Sequence, residues 1–557
     1  MAFAVPRRLC STFFTGLALT VLDVEAVAQQ PRHILLVVID DLGWDDLGFR
    51  NDGQIKTPNF DALASGGVIL DNYYVQPSCS PTRATIMTGR KPVSTGINFW
   101  IPNAAYGLPL HETTVAQLLN ARGFQSHAIG KWHLGFFRTE YTPTFRGFDS
   151  FYGYYEGSED YFAHTTSGGL DFHFEVGQRC GAKCSQLVWD AQGLYSTNLY
   201  TQRAISVISS HNVSTPLFMY LAYQGVHAPR QSPDHYVKPY LESISDPGRR
   251  TFAGMVSALD EGLGNVTRAL RSRGMFDDTL IIVTTDNGGP TTECSTTGQS
   301  NWPLRGSKCS VWEGGTRGTA FMHWAGMPSA AKGSHFAGLA HAADWLPTLA
   351  SAVGRPPAPG ETRPLDGVDL WEALLQLQGS AGSARTEVYY GISQNSRGPA
   401  VRNVNGYKLI LGGNGDGKGT WSPQQLPNAS SSPSSSSLSP SARISGSGGR
   451  RGGGGGVCSS SLEMLTEGGG GEDVTTDALY FLPDDLSERC PLRLEEHQEV
   501  ADELRRVAEM YLARAVPQAT ADPGCPAFST MQSARGPYIG PWCDGYAAGD
   551  QDASLVV

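Results

Sequence analysis

Two stretches far apart in the chain, Ile34-Leu35-Leu36-Val37-Val38-Ile39 and Thr279-Leu280-Ile281-Ile282-Val283-Thr284-Thr285, are apolar and β-branched without alternation. A strand with one wet face alternates apolar and polar residues. An unbroken run belongs to a strand buried on both faces of a parallel sheet, with helices packed on either side. The first run stops at Asp40-Asp41, followed by Gly43 and a second pair, Asp45-Asp46; the second run stops at Asp286-Asn287-Gly288-Gly289. Ligands of open α/β sheets gather beyond the C-terminal ends of the strands. Two such ends can therefore bring three carboxylates and an amide oxygen to one point. Adjacent buried carboxylates repel unless a cation holds them, and an all-oxygen donor set suits calcium or magnesium rather than zinc. For Asp40-Asp41 taken alone, the competing reading is a solvated acidic turn.

The intervening sequence alternates helix and strand patterns. Thr113 to Arg122 reads as a helix ended at Gly123, and Gln125 to Ile129 as a strand that runs into Gly130-Lys131-Trp132-His133-Leu134-Gly135. Lys131 and His133 fall on one side if the extended conformation continues. Pro216 to Tyr223 reads as another strand, with His227 just beyond its end. Trp302 to Lys308 and Trp312 to Gly318 form a glycine-dense loop that carries Lys308. Singly, each of these lysines and histidines reads as a loop or solvated residue. Together the pattern predicts an α/β fold, a large mixed, mostly parallel sheet flanked by helices, over 31–392. The smaller C-terminal domain, 393–516, is expected to hold an antiparallel sheet built around Val401, Tyr407 to Leu411 and Ala478 to Leu482. Its helix, Leu494 to Val516, has Leu504, Val507, Met510 and Tyr511 along one face. Residues 430–471 are dominated by serine and glycine and bury too little to fold, so they read as a disordered insertion; 517–557 form a tail.

The remaining landmark is Cys79-Ser80-Pro81-Thr82-Arg83, continuing through Thr88-Gly89. Pro81 suits a first helical turn and Gly89 a left-handed cap, which puts Cys79 at a helix N-terminus. Unpaired N–H groups and the helix dipole favour anions there, and Arg83, one turn on, adds a fixed positive charge.

These residues resemble the type I sulfatases, whose C-x-P-x-R motif followed by Thr-Gly is matched by Cys79, Pro81, Arg83, Thr88 and Gly89. Gly130 to Gly135 matches a second signature of that family. The resemblance implies an alkaline-phosphatase-like sulfatase fold. It also implies that a formylglycine-generating enzyme of the secretory pathway converts Cys79 to formylglycine, whose hydrate attacks the sulfate ester. By the same resemblance, Asp40, Asp41, Asp286, Asn287 and position 79 hold one divalent ion, usually calcium, with magnesium as the alternative. Lys131, His227 and Lys308 contact the sulfate or the leaving oxygen, Arg83 stabilises its charge, and His133 takes a proton.

Within the family, Asp40 to Trp44, Gly157 to Tyr161, Asn301 to Gly306 and Asp344 to Leu349 look like arylsulfatase B, the N-acetylgalactosamine-4-sulfatases. The implied substrates are a sulfated glycan or an aryl sulfate. Cys309 after Lys308, the spacing of the other cysteines and the serine/glycine insertion depart from that pattern. Competing readings are a phosphodiesterase or phosphonate hydrolase of the same fold, and a secreted glycan binder with a dead site.

Composition is consistent with export. With 42 basic against 53 acidic residues, the chain carries a net charge of −11 and gives no sign of a nucleic-acid binder. An anionic substrate then needs a local basic cluster. Residues 1–28 look like a secretory signal: Arg7 and Arg8, an apolar stretch from Leu9 to Leu22, then Ala26-Val27-Ala28. No later stretch is apolar enough to span a membrane, and the final compartment is expected to be extracellular, lysosomal or vacuolar. Setting aside Cys10 and Cys79, eight of the ten cysteines remain for disulfides. Near neighbours suggest Cys180–Cys184, Cys294–Cys309 and Cys525–Cys543. Asn212, Asn265 and Asn428 begin glycosylation sequons.

Overall fold

Alternate residues of the strand His33–Ile39 belong to two different cores: Ile34, Leu36 and Val38 face one, Leu35, Val37 and Ile39 the other. The strand Thr279–Thr285 divides in the same way, with Leu280 and Ile282 opposite Ile281 and Val283. Both strands are thus buried on both faces, as an unbroken apolar run requires. The computed structural model describes residues 30–51, 53–179, 185–291, 298–376, 384–391, 398–412 and 477–544, besides Met1.

The two strands lie side by side at the centre of a ten-stranded mixed sheet. Its middle is parallel and runs Thr279–Thr285, His33–Ile39, Leu217–Tyr223, Gln125–Lys131, Ser150–Tyr154. The register sets Ile39 level with Thr285 and Tyr223, and Gly130 level with Ala222. The next residues, Asp40, Asp286 and Gln224, therefore leave the sheet along one edge, where Lys131 ends its own strand. Gly130 has φ +95°, and a Cβ there would stand 2.0 Å from the Ala222 carbonyl oxygen, so only glycine lets the neighbouring strands close up at that level.

The strand expected to stop at Ile129 continues through Lys131, which makes Lys131 its last residue. The helix expected over Thr113 to Arg122 is shorter, Val115–Asn120, because Thr114 and Gln117 form a capping box that fixes its start. Cys79–Thr88 is a helix in which every residue is buried, and Gly89 ends it in the left-handed conformation at φ 66°.

A four-stranded antiparallel sheet, Glu387–Tyr390, Ala400–Asn403, Tyr407–Ile410 and Ala478–Phe481, lies beyond the main sheet in sequence. It draws its first strand from before residue 392. The single helix expected over Leu494 to Val516 is a short 3-10 turn, Leu494–Glu496, followed by an α-helix, Gln498–Ala513. Ala501, Leu504, Ala508 and Tyr511 form its buried face, while Met510 is exposed, so the expected stripe was one position off at Met510. The tail folds back: Met531–Ser533 pairs with Gly536–Tyr538, which continues the edge of Gly169–Leu170.

Cys525 and Cys543 are bonded as expected, and Cys309 and Cys490 are also in disulfides. Cys180, Cys184, Cys294, the signal-like residues 2–29 and the 430–471 insertion, with Asn428 just before it, lie outside the described residues. No helix among the described residues is long and apolar enough to cross a membrane.

The small sheet grips the glycine-dense loop. Lys408 reaches Glu313 at 3.0 Å and Glu488 at 2.7 Å, all three fully buried. Glu488 also accepts from the Glu313 N–H at 2.7 Å, and its carbonyl accepts from Arg305 at 2.9 Å. Lys408→Met takes the cation from between Glu313 and Glu488 and leaves Arg317, 3.5 Å from Glu313, to face the pair. Urea denaturation should show a loss of roughly 3–5 kcal/mol; a loss below about 1 kcal/mol, the range of surface pairs, would mean that the cluster does not hold the loop.

Candidate active site

Cys79 is the first residue of its helix and only 3% exposed, at the floor of a cavity of about 420 Å³. Its Sγ lies 3.7 Å from Asp40 Oδ1. Burial pushes the thiol up to about 12; Lys131 and Lys308 pull the other way, and Asp286 and Asp40 add to the rise. At neutral pH the sulfur is a thiol, a poor nucleophile as it stands.

Around it, carboxylates and cations are matched in number. Asp40 takes Lys131 Nζ at 2.6 Å, with Arg83 at 3.6 Å. Asp286 takes Arg83 through Nε at 2.9 Å and Nη2 at 2.8 Å, and Asp41 takes Lys308 Nζ at 2.6 Å. All six side chains are at most 5% exposed. Burial alone would raise the Asp40 carboxyl, but Lys131, then His227 and Arg83, outweigh it and hold it below the usual range. Burial would likewise weaken the Lys308 ammonium, and Asp41, with Cys79, Asp40 and Asp286 behind it, more than reverses this.

Two buried oxygens in this group have no hydrogen-bond partner, Asp41 Oδ2 and Asn287 Oδ1. The Asn287 amide donates to Asp41 Oδ1 at 2.7 Å, which turns its oxygen away. Orphaned hard oxygens beside three carboxylates fit a calcium- or magnesium-sized cation. Ligand atoms of Asp40, Asp41, Cys79 and His227 lie within 4.8 Å of one another. This compact group differs from the expected set: it includes His227, while the Asp286 carboxylate is turned to Arg83 and to the Asp41 N–H at 3.2 Å. Asp286 and Asn287 adjoin the group through those bonds.

The two histidines present lone pairs from different ring atoms. His133 Nε2 lies 3.1 Å from the Ile101 carbonyl, which can only accept, so the ring proton is assigned to Nε2 and Nδ1 is a free, buried base. Burial, reinforced by Lys131 and Arg83, holds this imidazole well below its ordinary pKa. His227 is the reverse: Nδ1 faces the Ala228 carbonyl at 2.8 Å, and Nε2 lies 3.6 Å from Asp41 Oδ2. Burial lowers its pKa, against the pull of Asp41.

Lys131 and His133 do not share a side through a continued strand. The chain turns at His133 (φ 54°), and Asp41 (φ 61°) and Cys309 (φ 69°) have the same left-handed backbone. Such conformations cost of order 1–3 kcal/mol each and mark residues held in place by their surroundings.

The structure thus brings together every residue the sequence singled out: Asp40, Asp41, Cys79, Arg83, Lys131, His133, His227, Asp286, Asn287 and Lys308. It adds Trp100, Asn103 and Glu156 to the cavity wall, with Trp100 48% exposed at its mouth. Glu156 could have been found by the strand-end rule, since it follows the aromatic strand Ser150–Tyr154 by two residues. No local pattern marks Trp100.

The family model for Sulfatase matches residues 32–355, a span that contains all of these site residues. The chain is 39% identical to mouse arylsulfatase J over 422 residues, covering 72% of this chain and 67% of that one. It is 33% identical to human N-acetylgalactosamine-6-sulfatase, covering 63% of this chain and 67% of the other, and 32% identical to human arylsulfatase A, covering 69% and 73%. Among solved structures it is similar to Ps i-CgsB in complex with a neocarrahexaose, with TM-score 0.69 and 25% identity over 88% of this chain and 95% of that one. The PsFucS1 sulfatase from Pseudoalteromonas shares the fold, with TM-score 0.65 and 21% identity over 87% and 90%. With its catalytic-type residues on the family's sheet and within the matched span, the chain belongs to the sulfatase family, enzymes that hydrolyse sulfate esters.

Proposed function

We propose that this sulfatase acts on a sulfated sugar, N-acetylgalactosamine 4-sulfate in the first instance, with Cys79 oxidised to formylglycine and one calcium ion at the acidic group. The observation that carries this reading is the charge match at the cavity floor. Three carboxylates meet three cations there, so a divalent ion would leave a net positive pocket for an anionic ester. Asp40, Asp41, Asp286 and Asn287 would hold the ion.

When present, the ion supplies charge stabilisation at the sulfate oxygens, and the hydrated aldehyde supplies a nucleophilic oxygen where the thiol is inert. The protein's own residues do the rest. Lys131 and Lys308, which neutralise Asp40 and Asp41, would be the ammonium groups available to the sulfate oxygens were those carboxylates to hold an ion. Arg83 stays on Asp286 and keeps a positive charge beneath position 79. His133, neutral with Nδ1 free, accepts a proton; His227 or Lys308 assists the leaving oxygen.

The N-terminal signal, passage through the secretory pathway past a formylglycine-generating enzyme, and a secreted or lysosomal destination belong to the same proposal. So do a catalytic unit at 31–392, a small C-terminal domain at 393–516 and a tail at 517–557. The sequence likeness to arylsulfatase B supports the sugar, and two of the relatives' names also carry N-acetylgalactosamine or aryl substrates.

The test is release of inorganic sulfate from an oligosaccharide ending in 4-sulfated N-acetylgalactosamine, by protein made in cells that generate formylglycine. Release at the rate of a specific enzyme is expected. Cleavage of the 6-sulfated isomer or of an aryl sulfate alone would keep the sulfatase and remove the 4-sulfate assignment. Faster cleavage of phosphate diesters than of any sulfate ester would overturn the reading.

A further inference from the structure

Glu156 is in the active-site cavity and has no part in the chemistry above. It follows the strand Ser150–Tyr154, the neighbour of Gln125–Lys131, and so reaches the wall beside the floor occupied by Cys79, His133 and Lys308. Its N–H donates to Asp171 Oδ2 at 2.9 Å, and its Oε2 accepts from Ser167 Oγ at 3.0 Å and Thr166 Oγ1 at 3.4 Å. The other oxygen, Oε1, makes no well-aligned hydrogen bond although the residue is only 8% exposed, and the Asn103 side chain stands close enough to favour the charged carboxylate slightly. Asn103, on the same wall, donates to Ser167 Oγ at 2.7 Å and so shares the Ser167 hydroxyl with Glu156.

A buried oxygen left unpaired costs about 1–3 kcal/mol, a cost that a hydroxyl arriving with the substrate removes. A carboxylate would repel the sulfate that the pocket is charged to receive. Burial, then the Asp171 charge, raise the Glu156 carboxyl to about 8, so near neutral pH it is uncharged and can both donate and accept. A neutral acid on the wall of an anion pocket suits a polyhydroxylated substrate and has no use for a bare aryl ring.

We propose that Glu156 is a specificity-determining residue that hydrogen-bonds a hydroxyl beside the sulfated carbon of a sugar and so favours sugar sulfates over aryl sulfates. The inference deepens the proposed function and rests on it. A site built around a substrate hydroxyl discriminates strongly against analogues that lack it, because its own polar atoms are then left unpaired.

The experiment compares wild type, Glu156→Leu and Glu156→Gln on two kinds of probe. One is 4-methylumbelliferyl sulfate, which has no hydroxyl beside its ester. The others are the methyl glycosides of N-acetylgalactosamine 4-sulfate and 3-sulfate, each with a free hydroxyl on a carbon next to the sulfated one, read both as substrates and as competitive inhibitors of aryl sulfate cleavage. Glu156→Leu should lower kcat/KM, or weaken inhibition, by about 10- to 100-fold for the better sugar, the worth of a hydrogen bond to a buried carboxyl. Aryl sulfate cleavage should stay within about twofold, and Glu156→Gln, whose amide also donates and accepts, should restore most of the sugar preference.

Equal losses on both probes would overturn the proposal, since they would mark a residue that only holds the site together. So would an unchanged sugar constant, or sugars that neither turn over nor compete in the wild type while the aryl ester is cleaved. Wild type inert on every sulfate ester would instead remove the parent reading.

Discussion

Cys79→Ala loses sulfate ester hydrolysis almost entirely, by roughly 10⁴–10⁶-fold in kcat, the scale on which removal of a nucleophile registers. The fold should barely notice. Cys79 Sγ has one polar contact, at 3.7 Å, and the substitution removes a single buried sulfur, worth about 1 kcal/mol. Thermal unfolding of the variant should therefore overlay closely on that of the parent while 4-methylumbelliferyl sulfate goes uncleaved. Cys79→Ser is expected to be nearly as inactive, because a serine hydroxyl in this place lacks the carbonyl chemistry of an oxidised cysteine. Activity above about 1% of the parent in Cys79→Ala would move the reaction centre away from this helix N-terminus. Intact-mass analysis of active protein should show position 79 lighter than cysteine, the mark of thiol replaced by aldehyde.

Arg83→Met carries a large expected effect on stability, and one that a metal ion should modulate. Arg83 is fully buried, donates from Nε to Asp286 Oδ2 at 2.9 Å with Nη2 2.8 Å from the same oxygen, and stands 3.6 Å from Asp40. Its removal leaves both carboxylates short of positive charge in a place water does not reach. Without added metal, the expected loss is roughly 3–5 kcal/mol, the usual cost of stripping one partner from a buried pair. Excess calcium should recover much of it, because an ion bound only by the folded protein stabilises in proportion to the logarithm of its concentration above Kd. Chemical denaturation with EDTA and with millimolar calcium reads both arms. If millimolar calcium changes the stability of neither the variant nor the parent, the acidic group does not take a cation in the folded protein.

The strands His33–Ile39 and Thr279–Thr285 were legible because a run buried on both faces has to be apolar at every position, a property of the run itself. The helix Cys79–Thr88 was legible from Pro81 and Gly89 for the same kind of reason: each residue limits its own backbone. Where the strand rule was applied it pointed to Asp40, Asp41, Asp286 and Asn287, whereas His227 came only from the family resemblance. Where it was not, after the aromatic strand Ser150–Tyr154, Glu156 was missed. Met510 was misplaced because a helical stripe has several adjacent registers and only packing against the small sheet selects one.

Sequence alone determined the layers of the fold, the strand ends where chemistry gathers and, through resemblance, which residue types belong there. Tertiary structure decided the pairing. That Lys308 neutralises Asp41 across 267 residues, that Arg83 takes Asp286 across 203, and that His227 stands close to Asp40, Asp41 and Cys79 depend on strand order and register. Local preferences act over a few residues of chain, whereas a buried charge takes whichever partner the sheet brings within about 3 Å, since in a dry interior an unpaired one is too costly to leave.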